Sequence, residues 1–327
     1  MNITDNPAHT ALVLGATGGI GGEAARKLHH AGWQVRALYR QAPAAGEYRD
    51  GIHWLRGDAM NPGDVMRAAR GCGVIVHAVN PPGYRRWAEL VLPMIDNSIR
   101  AAVAENATIM LPGTVYNYGP DAFPLLNEDA PQHPLTRKGA IRVELERRLQ
   151  AAADRGARAI VVRAGDFFGP RAGNTWFSQG VIKPGRAVKV INSPGKAGIG
   201  HQWCYLPDIA ETMAALLARR ETLSPFSTFH MAGHWDDDGM QMAHAIRRVV
   251  MRHGGQPALR AFPWWLTSLL APVVPTLREL QEMRYLWRQP VRLDNSRLQA
   301  MLGSEPHTPL EQAVETTLMG LGCLTAH

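Results

Sequence analysis

Residues 10–32 read TALVLGATGGIGGEAARKLHHAG, and this stretch decides the fold. Its first part, up to Leu14, is a continuous apolar run, the pattern of a strand buried on both faces in a parallel sheet. Gly15 ends the run. A helical pattern follows, with Ala24, Ala25 and Leu28 on one face and Gly32 as its stop. Between strand and helix stands Gly15-Ala16-Thr17-Gly18-Gly19-Ile20-Gly21. Gly15 permits a tight turn, Gly18 lets a pyrophosphate approach the backbone, and Gly21 lets the helix pack close to the sheet. The helix N-terminus then faces the negative charge. An ordinary glycine-rich turn would not need the strand before it and the helix after it.

The same alternation continues outward. Strands are expected at 33–40, 51–58, 74–79, 108–113 and 157–165, with helices at 61–70, 87–106 and 138–156. Strands alternating with helices predict an α/β chain built as a Rossmann-type doubly wound parallel sheet. After Gly165 the pattern loosens. Residues 166–200 are rich in Gly, Pro and Asn, a helix spans 207–220, and helical signals recur at 238–253, 264–288 and 309–322. These residues read as a smaller, partly helical C-terminal lobe. The expected division is a dinucleotide-binding domain at 1–165 and a mainly substrate-binding lobe at 166–327, with 201–232 returning to the first domain.

The end of the second strand selects the nucleotide. An Asp or Glu there holds the ribose hydroxyls of NAD. This chain has Tyr39 and Arg40, and no carboxylate before Glu47. A guanidinium suits a 2′-phosphate, so NADP is expected as the cofactor in preference to NAD. Arg36 is expected to point the other way.

Composition excludes several classes. Of 327 residues, 46% are apolar and 19% charged, enough apolar material for a full core and against a disordered chain. The formal net charge is +7, but the cations are scattered, which favours a small anionic ligand and no nucleic-acid partner. Three distant cysteines, Cys72, Cys204 and Cys323, argue against a disulfide frame and a zinc site. No HExxH motif stands among the 13 histidines, so no metal is expected, and no Gly-x-Ser-x-Gly supports a serine hydrolase. The N-terminal residues lack the pattern of a signal peptide. The apolar stretch 262–274 is broken by Pro263 and Pro272 and is too short for a bilayer. A cytoplasmic protein without a membrane partner is expected. The segment PWWLTSLLAPVVPTLREL could touch a membrane surface, but buried lobe helices, with Trp264 and Trp265 packed inside, explain it more simply.

With these features the chain resembles the extended short-chain dehydrogenase/reductase family, also named the NAD-dependent epimerase/dehydratase family, from about Thr10 to Asp208. GATGGIG is similar to its nucleotide loop and Gly57-Asp58 to its adenine-contacting segment. VIVHAVNPP (74–82) resembles the strand beneath the nicotinamide ribose, RAGDFFGP (163–170) its RPxxxYGP segment, and HQWCYLPDIA (201–210) its closing segment. The resemblance implies a cofactor site of Gly15, Thr17, Gly18, Gly19, Ile20, Gly21, Arg40, Asp58, Ala59, Ala78, Val79, Asn80, Lys138 and Ala164. Asn80 reads equally as a turn residue before two prolines.

The family's chemistry uses a Ser or Thr, a Tyr, and a Lys four residues after the Tyr. Thr114-Val-Tyr116-Asn-Tyr118-Gly119 is similar to the segment that holds the hydroxyl residue, which places Thr114 there. The next motif departs. Where the family has Y-G-x-S-K, this chain has Lys138-Gly-Ala-Ile-Arg142, and no Tyr lies between Tyr118 and Tyr205. Lys138 and Arg142 share a helix face. A like charge beside it would lower the Lys138 pKa, which would let Lys138 donate a proton at neutral pH. The candidate catalytic set is therefore Thr114, Tyr116, Lys138 and Arg142: Lys138 or Tyr116 as the acid, Thr114 polarising a carbonyl, Arg142 holding ribose hydroxyls. The plainer reading makes Lys138 and Arg142 surface cations paired with Glu144 and Glu146, or phosphate clamps, and one of Tyr116 and Tyr118 a core aromatic bonded to the backbone. Asp208 is expected to cap a helix. Arg171, Trp176 and Lys183 fall where the family leads into its substrate pocket, and His201 replaces its closing Arg.

The expected function is an NADP-dependent oxidoreductase or epimerase-like enzyme acting on a small carbonyl, hydroxyl or nucleotide-sugar-like substrate. The alternative is an NADP-binding redox sensor or regulatory protein without turnover. The family resemblance implies a small-molecule partner, and homodimers are common within it.

Overall fold

The computed structural model describes residues 9–81, 86–273 and 275–324; Pro82 and Val274, quoted above, lie outside them. In chain order the first half comprises β1 (Thr10–Leu14), α1 (Gly19–His30), β2 (Gln34–Tyr39), β3 (Glu47–Arg49), β4 (Ile52–Arg56), α2 (Pro62–Ala69), β5 (Val74–His77), α3 (Trp87–Glu105), β6 (Thr108–Gly113), β7 (Leu125–Leu126), α4 (Arg137–Ala153) and β8 (Arg158–Arg163). The second half follows with β9 (Asp166–Phe168), β10 (Val190–Ser193), β11 (His201–Tyr205), α5 (Leu206–Leu217), β12 (Phe226–His230), β13 (His234–Asp236), α6 (Gln241–Arg252), β14 (Ala258–Ala261), α7 (Trp264–Leu270), α8 (Pro275–Glu282), β15 (Arg292–Leu293), α9 (Ser296–Leu302) and α10 (Leu310–Gly320).

Eight strands form one sheet in the order β12-β8-β6-β5-β1-β2-β4-β3. All neighbours are parallel except β3 with β4. The order reverses at β1, the switch point that opens a crevice at the strand C-termini. The expected doubly wound sheet is therefore present. Alternation along β1 shows why both its faces are apolar. Ala11 and Val13 join the cluster with Ala24, Leu28, Ile209 and Met213 of α1 and α5, whereas Leu12 and Leu14 join Val65, Ile95 and Leu145 of α2, α3 and α4. Each such large side chain, fully buried, contributes about 1.5–3 kcal/mol.

A second body of core belongs to the later residues. Phe168, Phe177, Trp203 and Tyr205 pack with Ile246 and Val249 of α6 and Val314 and Leu318 of α10. This cluster is covered by a three-stranded sheet, β13-β11-β9, and a two-stranded one, β10-β14. Of the 201–232 segment, β11 belongs to that three-stranded sheet, α5 packs on α1, and β12 pairs with β8.

Several local expectations differ from the structure. The 264–288 signal divides into α7, α8 and a single 3-10 turn, because Pro272 and Pro275 interrupt it. Trp264 packs on Trp176 and Phe262 as expected, but Trp265 is 71% exposed. β3 and α9 carry no sequence signal strong enough to have marked them.

Candidate active site

The nucleotide loop is built around atoms that glycine leaves out. Gly15 adopts φ +89°, the left-handed region, and a Cβ on it would stand 2.6 Å from the carbonyl oxygen of Ala78. A Cβ on Gly21 would stand 2.2 Å from the Gly15 carbonyl oxygen. That carbonyl accepts the Gly18 amide at 2.9 Å, closing the turn. Gly18 caps α1 without a side-chain hydrogen bond, and the first turn holds no acidic residue. The amides and positive end of α1 are thus left to an anion. Thr17 and Gly18 are exposed; Gly19 and Ile20 are half-buried, and Gly19 lies against Leu206 and Ala172.

The neighbouring strand ends complete the rim. Ala78 and Val79 are half-buried after β5, and Asn80 is exposed. Arg40 is exposed just past β2, whereas Arg36 turns away and donates to the carbonyl of Arg70 at 2.6 Å. Asp58 accepts the Met60 amide at 2.9 Å, and the Ala59 carbonyl accepts from Asn97 at 2.9 Å, so the turn after β4 is fixed by its own bonds and by α3.

The catalytic candidates come from two elements that touch. Thr114 follows β6, and its Oγ1 accepts the Tyr116 amide at 3.3 Å. A Cβ on Gly139 would stand 2.2 Å from the Tyr116 carbonyl oxygen, so the 114–116 turn presses on the start of α4. Lys138 sits there, 2% exposed, with its Nζ 3.0 Å from Glu282 Oε2 of α8. Glu282 also accepts the Arg137 amide through Oε1 at 2.8 Å. The surface-pair reading is corrected on this point. Glu144 is held by Arg147 and Arg148 and Glu146 by Arg163, while Lys138 is covered by the later lobe. A carboxylate is thus in contact with the Lys138 ammonium, and the Arg142 guanidinium lies 5.3 Å over the Trp87 ring.

Beneath Thr114 a buried polar network fixes the ends of β6, β8 and β12. Arg163, 1% exposed, is paired with Glu146, and its Nη1 donates to Tyr118 Oη at 2.8 Å and to His230 Nε2 at 3.0 Å. Tyr118 is therefore the core aromatic of the pair, but its hydroxyl meets side chains in place of the backbone. His230 Nδ1 lies 3.1 Å from the Leu126 carbonyl. An acceptor Nε2 and a donor Nδ1–H describe one neutral tautomer. Burial and the Arg163 charge keep it neutral, holding the pKa down at about 3. Burial first, then Arg142, likewise hold His77 at about 3, and its Nδ1 lies 2.8 Å from Ser98 Oγ. Burial pushes the Tyr118 hydroxyl up, against Arg163, so this phenol is a structural donor.

The sequence matches a model of the NAD dependent epimerase/dehydratase family over residues 11–232. The chain belongs to this family. No curated protein matches it significantly by sequence. Solved structures share its fold. MoeE5 in complex with UDP-glucose and NAD has a TM-score of 0.70 at 17% identity, covering 95% of this chain and 98% of that one. UDP-glucuronic acid 4-epimerase from Bacillus cereus in complex with NAD has 0.72 at 15% identity, covering 95% and 96%. UDP-glucose 4-epimerase from Bifidobacterium longum in complex with NAD+ and UDP has 0.70 at 13% identity, covering 94% and 97%.

Within the epimerase/dehydratase pattern, the remaining candidates fall as follows. Ala164 is buried after β8. Arg171 pairs with Glu23 of α1 at 3.0 Å, which ties the segment after β9 to the nucleotide helix. Trp176 is buried in the aromatic cluster, and Lys183 is exposed. His201 Nε2 is 2.9 Å from Asp166 Oδ2, and its ring stacks on Trp287 at 3.7 Å between centroids. Asp208 does not cap α5. It is the third residue of that helix, Tyr205 stands at the cap, and the Asp208 carboxylate accepts the amide and hydroxyl of Thr308. Glu282 was missed, because no local pattern joins α8 to the start of α4. The glycine spacing, by contrast, is a local signal.

Proposed function

We propose that this member of the epimerase/dehydratase family is an NADP-dependent oxidoreductase or epimerase-like enzyme. Its substrate would be a small carbonyl or hydroxyl compound, or a nucleotide sugar of the kind named for the neighbouring structures. The observation that carries the reading is the loop at Gly15–Gly21. It lacks Cβ atoms where a backbone or phosphate must come close, and the uncapped end of α1 behind it suits a pyrophosphate. The residues present therefore fit a dinucleotide. When bound, its nicotinamide supplies hydride exchange. Gly15, Thr17, Gly18, Gly19, Ile20 and Gly21 cradle phosphates. Asp58 and Ala59 border the adenine, and Ala78, Val79, Asn80 and Ala164 line the nicotinamide side. Arg40 supports the NADP form, with its exposed guanidinium at the end of β2. Arg142 holds ribose hydroxyls.

Thr114 donates a hydrogen bond to the substrate oxygen. Lys138 or Tyr116 gives that oxygen its proton as hydride arrives, and takes it back in the reverse sense. Glu282 orients the Lys138 ammonium. The lobe after residue 165 supplies the substrate contacts.

A second reading is an NADP-binding sensor or regulator without turnover. It is favoured by Lys138 at the family's tyrosine position, buried in an ion pair. Fluorescence titration with NADPH and NADH, followed by a panel of carbonyl compounds and UDP-sugars, separates the two. Turnover that drops at least tenfold in Lys138→Met or in Tyr116→Phe supports the enzyme and assigns the acid. Tight NADPH binding without turnover across the panel supports the sensor. Binding of neither nucleotide would sink both. In Arg40→Ala the NADPH-to-NADH affinity ratio should fall by about tenfold, the worth of one charge-assisted contact.

A further inference from the structure

Three residues from distant parts of the chain converge at the start of α5. They are Asp208 in its first turn, His234 at the start of β13 and His307 in the loop before α10. One potential ligand atom from each lies within 4.8 Å of the other two. The rings of His234 and His307 are 4.4 Å apart between centroids, at 47°.

A second observation gives the cluster meaning. His234 is only 8% exposed, and its Nε2 is buried without a hydrogen-bond partner. A buried polar atom left without a partner is costly, and a native fold seldom tolerates one without a reason.

The surroundings hold the three groups in place. Thr308 donates its amide at 2.8 Å and its hydroxyl at 2.7 Å to Asp208, orienting the carboxylate as outer partners orient a metal ligand. Glu305, on the other side of His307, accepts the amides of Ala232 and Gly233 at 2.8 and 2.7 Å, just before His234. His307 is therefore carried on a short segment pinned at both ends, and its own side chain is exposed. Ligation would need its ring to turn, since donors around a tetrahedral ion stand about 3.4 Å apart.

We propose that Asp208, His234 and His307 bind one divalent first-row transition-metal ion. Two imidazoles and one carboxylate suit zinc-like ions and do not suit magnesium or calcium, which prefer an all-oxygen shell. The ion would brace the 305–308 segment to β13 and to α5, the helix that packs on α1. The ligands come from three separate segments, so no sequence spacing reveals them.

The test uses the untagged full chain, stripped by a chelator and dialysed. Zn2+ is titrated by calorimetry, and Co2+ is followed by its visible absorption. The expected result is saturable binding of one equivalent, visible bands of a low-coordinate Co2+ site, and a higher melting temperature with Zn2+. His307→Ala, at an exposed position, should fold normally and lose both the binding and the thermal shift. Thr308→Val should bind about tenfold more weakly, as loss of an outer partner does. His133→Ala, at an exposed residue outside the cluster, should bind like the parent. Absence of one-equivalent binding overturns the proposal, and so does a His307→Ala protein that binds Zn2+ as tightly as the parent.

Discussion

Gly15 shows how a single residue can be read from sequence and then measured. Its φ of +89° and the Ala78 carbonyl 2.6 Å from a would-be Cβ are two separate reasons for glycine. Gly15→Ala should therefore cost about 1–3 kcal/mol and weaken nucleotide binding together with stability. Urea denaturation alongside an NADPH titration checks this, and an unchanged denaturation midpoint would refute it. Other residues carry consequences that no motif announces. His77 and His230 are buried and neutral, with pKa values near 3, against about 6.5 in an unfolded chain. Between those values the unfolded chain binds more protons than the folded one. The stability these groups confer is thus complete above about pH 6.5 and is lost as pH falls toward 3. The urea midpoint should drop from pH 7 to pH 5. In His230→Gln, whose amide can both donate to Leu126 and accept from Arg163, the drop should be smaller. An equal drop in parent and variant would remove His230 from the account.

At the scale of elements, α4 links the fold to the candidate chemistry. Thr136 caps it, accepting the Gly139 amide at 3.0 Å, and the next turn carries Lys138. Thr136→Ala should cost about 1 kcal/mol, the usual worth of such a cap. If Lys138 is the acid, the substitution should also lower turnover by more than that loss of stability explains, because the turn that carries Lys138 loosens. Melting curves and kcat on the same preparations separate the two effects. The elements themselves were largely legible. Continuous apolar runs placed β1, β5, β6 and β8, and the 3.6-residue period placed α1 and α3, since each buries a face in the large sheet. The losses have physical causes. β3 is a three-residue edge strand with little buried surface, and α9 buries Leu298 alone among its residues. The expected cap at Asp208 failed because a tertiary partner, Thr308, takes the carboxylate that a local rule assigns to the helix.

For the whole molecule, the question is whether the sheet and the later lobe melt together. The chain passes between them repeatedly. β9 leaves for the three-stranded sheet, α5 comes back to α1, β12 pairs with β8, and β13 departs again. Glu282 reaches the start of α4, and Arg171 reaches α1. These crossings were the part of the site least visible in sequence, because each joins groups that are adjacent only after folding. They also mean that loss of the lobe core should be felt at the sheet. Leu318 of α10 is 0% exposed in the lobe's cluster and is not part of the nucleotide loop. Leu318→Ala should remove about 2–5 kcal/mol. If the crossings couple the two cores, near-ultraviolet circular dichroism of the lobe's tryptophans and intrinsic NADPH binding at the loop should fail in one transition, at a lower denaturant concentration than in the parent. Two separate transitions, with nucleotide binding surviving the first, would show instead that the sheet stands without the lobe and that Lys138 loses its Glu282 partner before the cofactor cradle is lost.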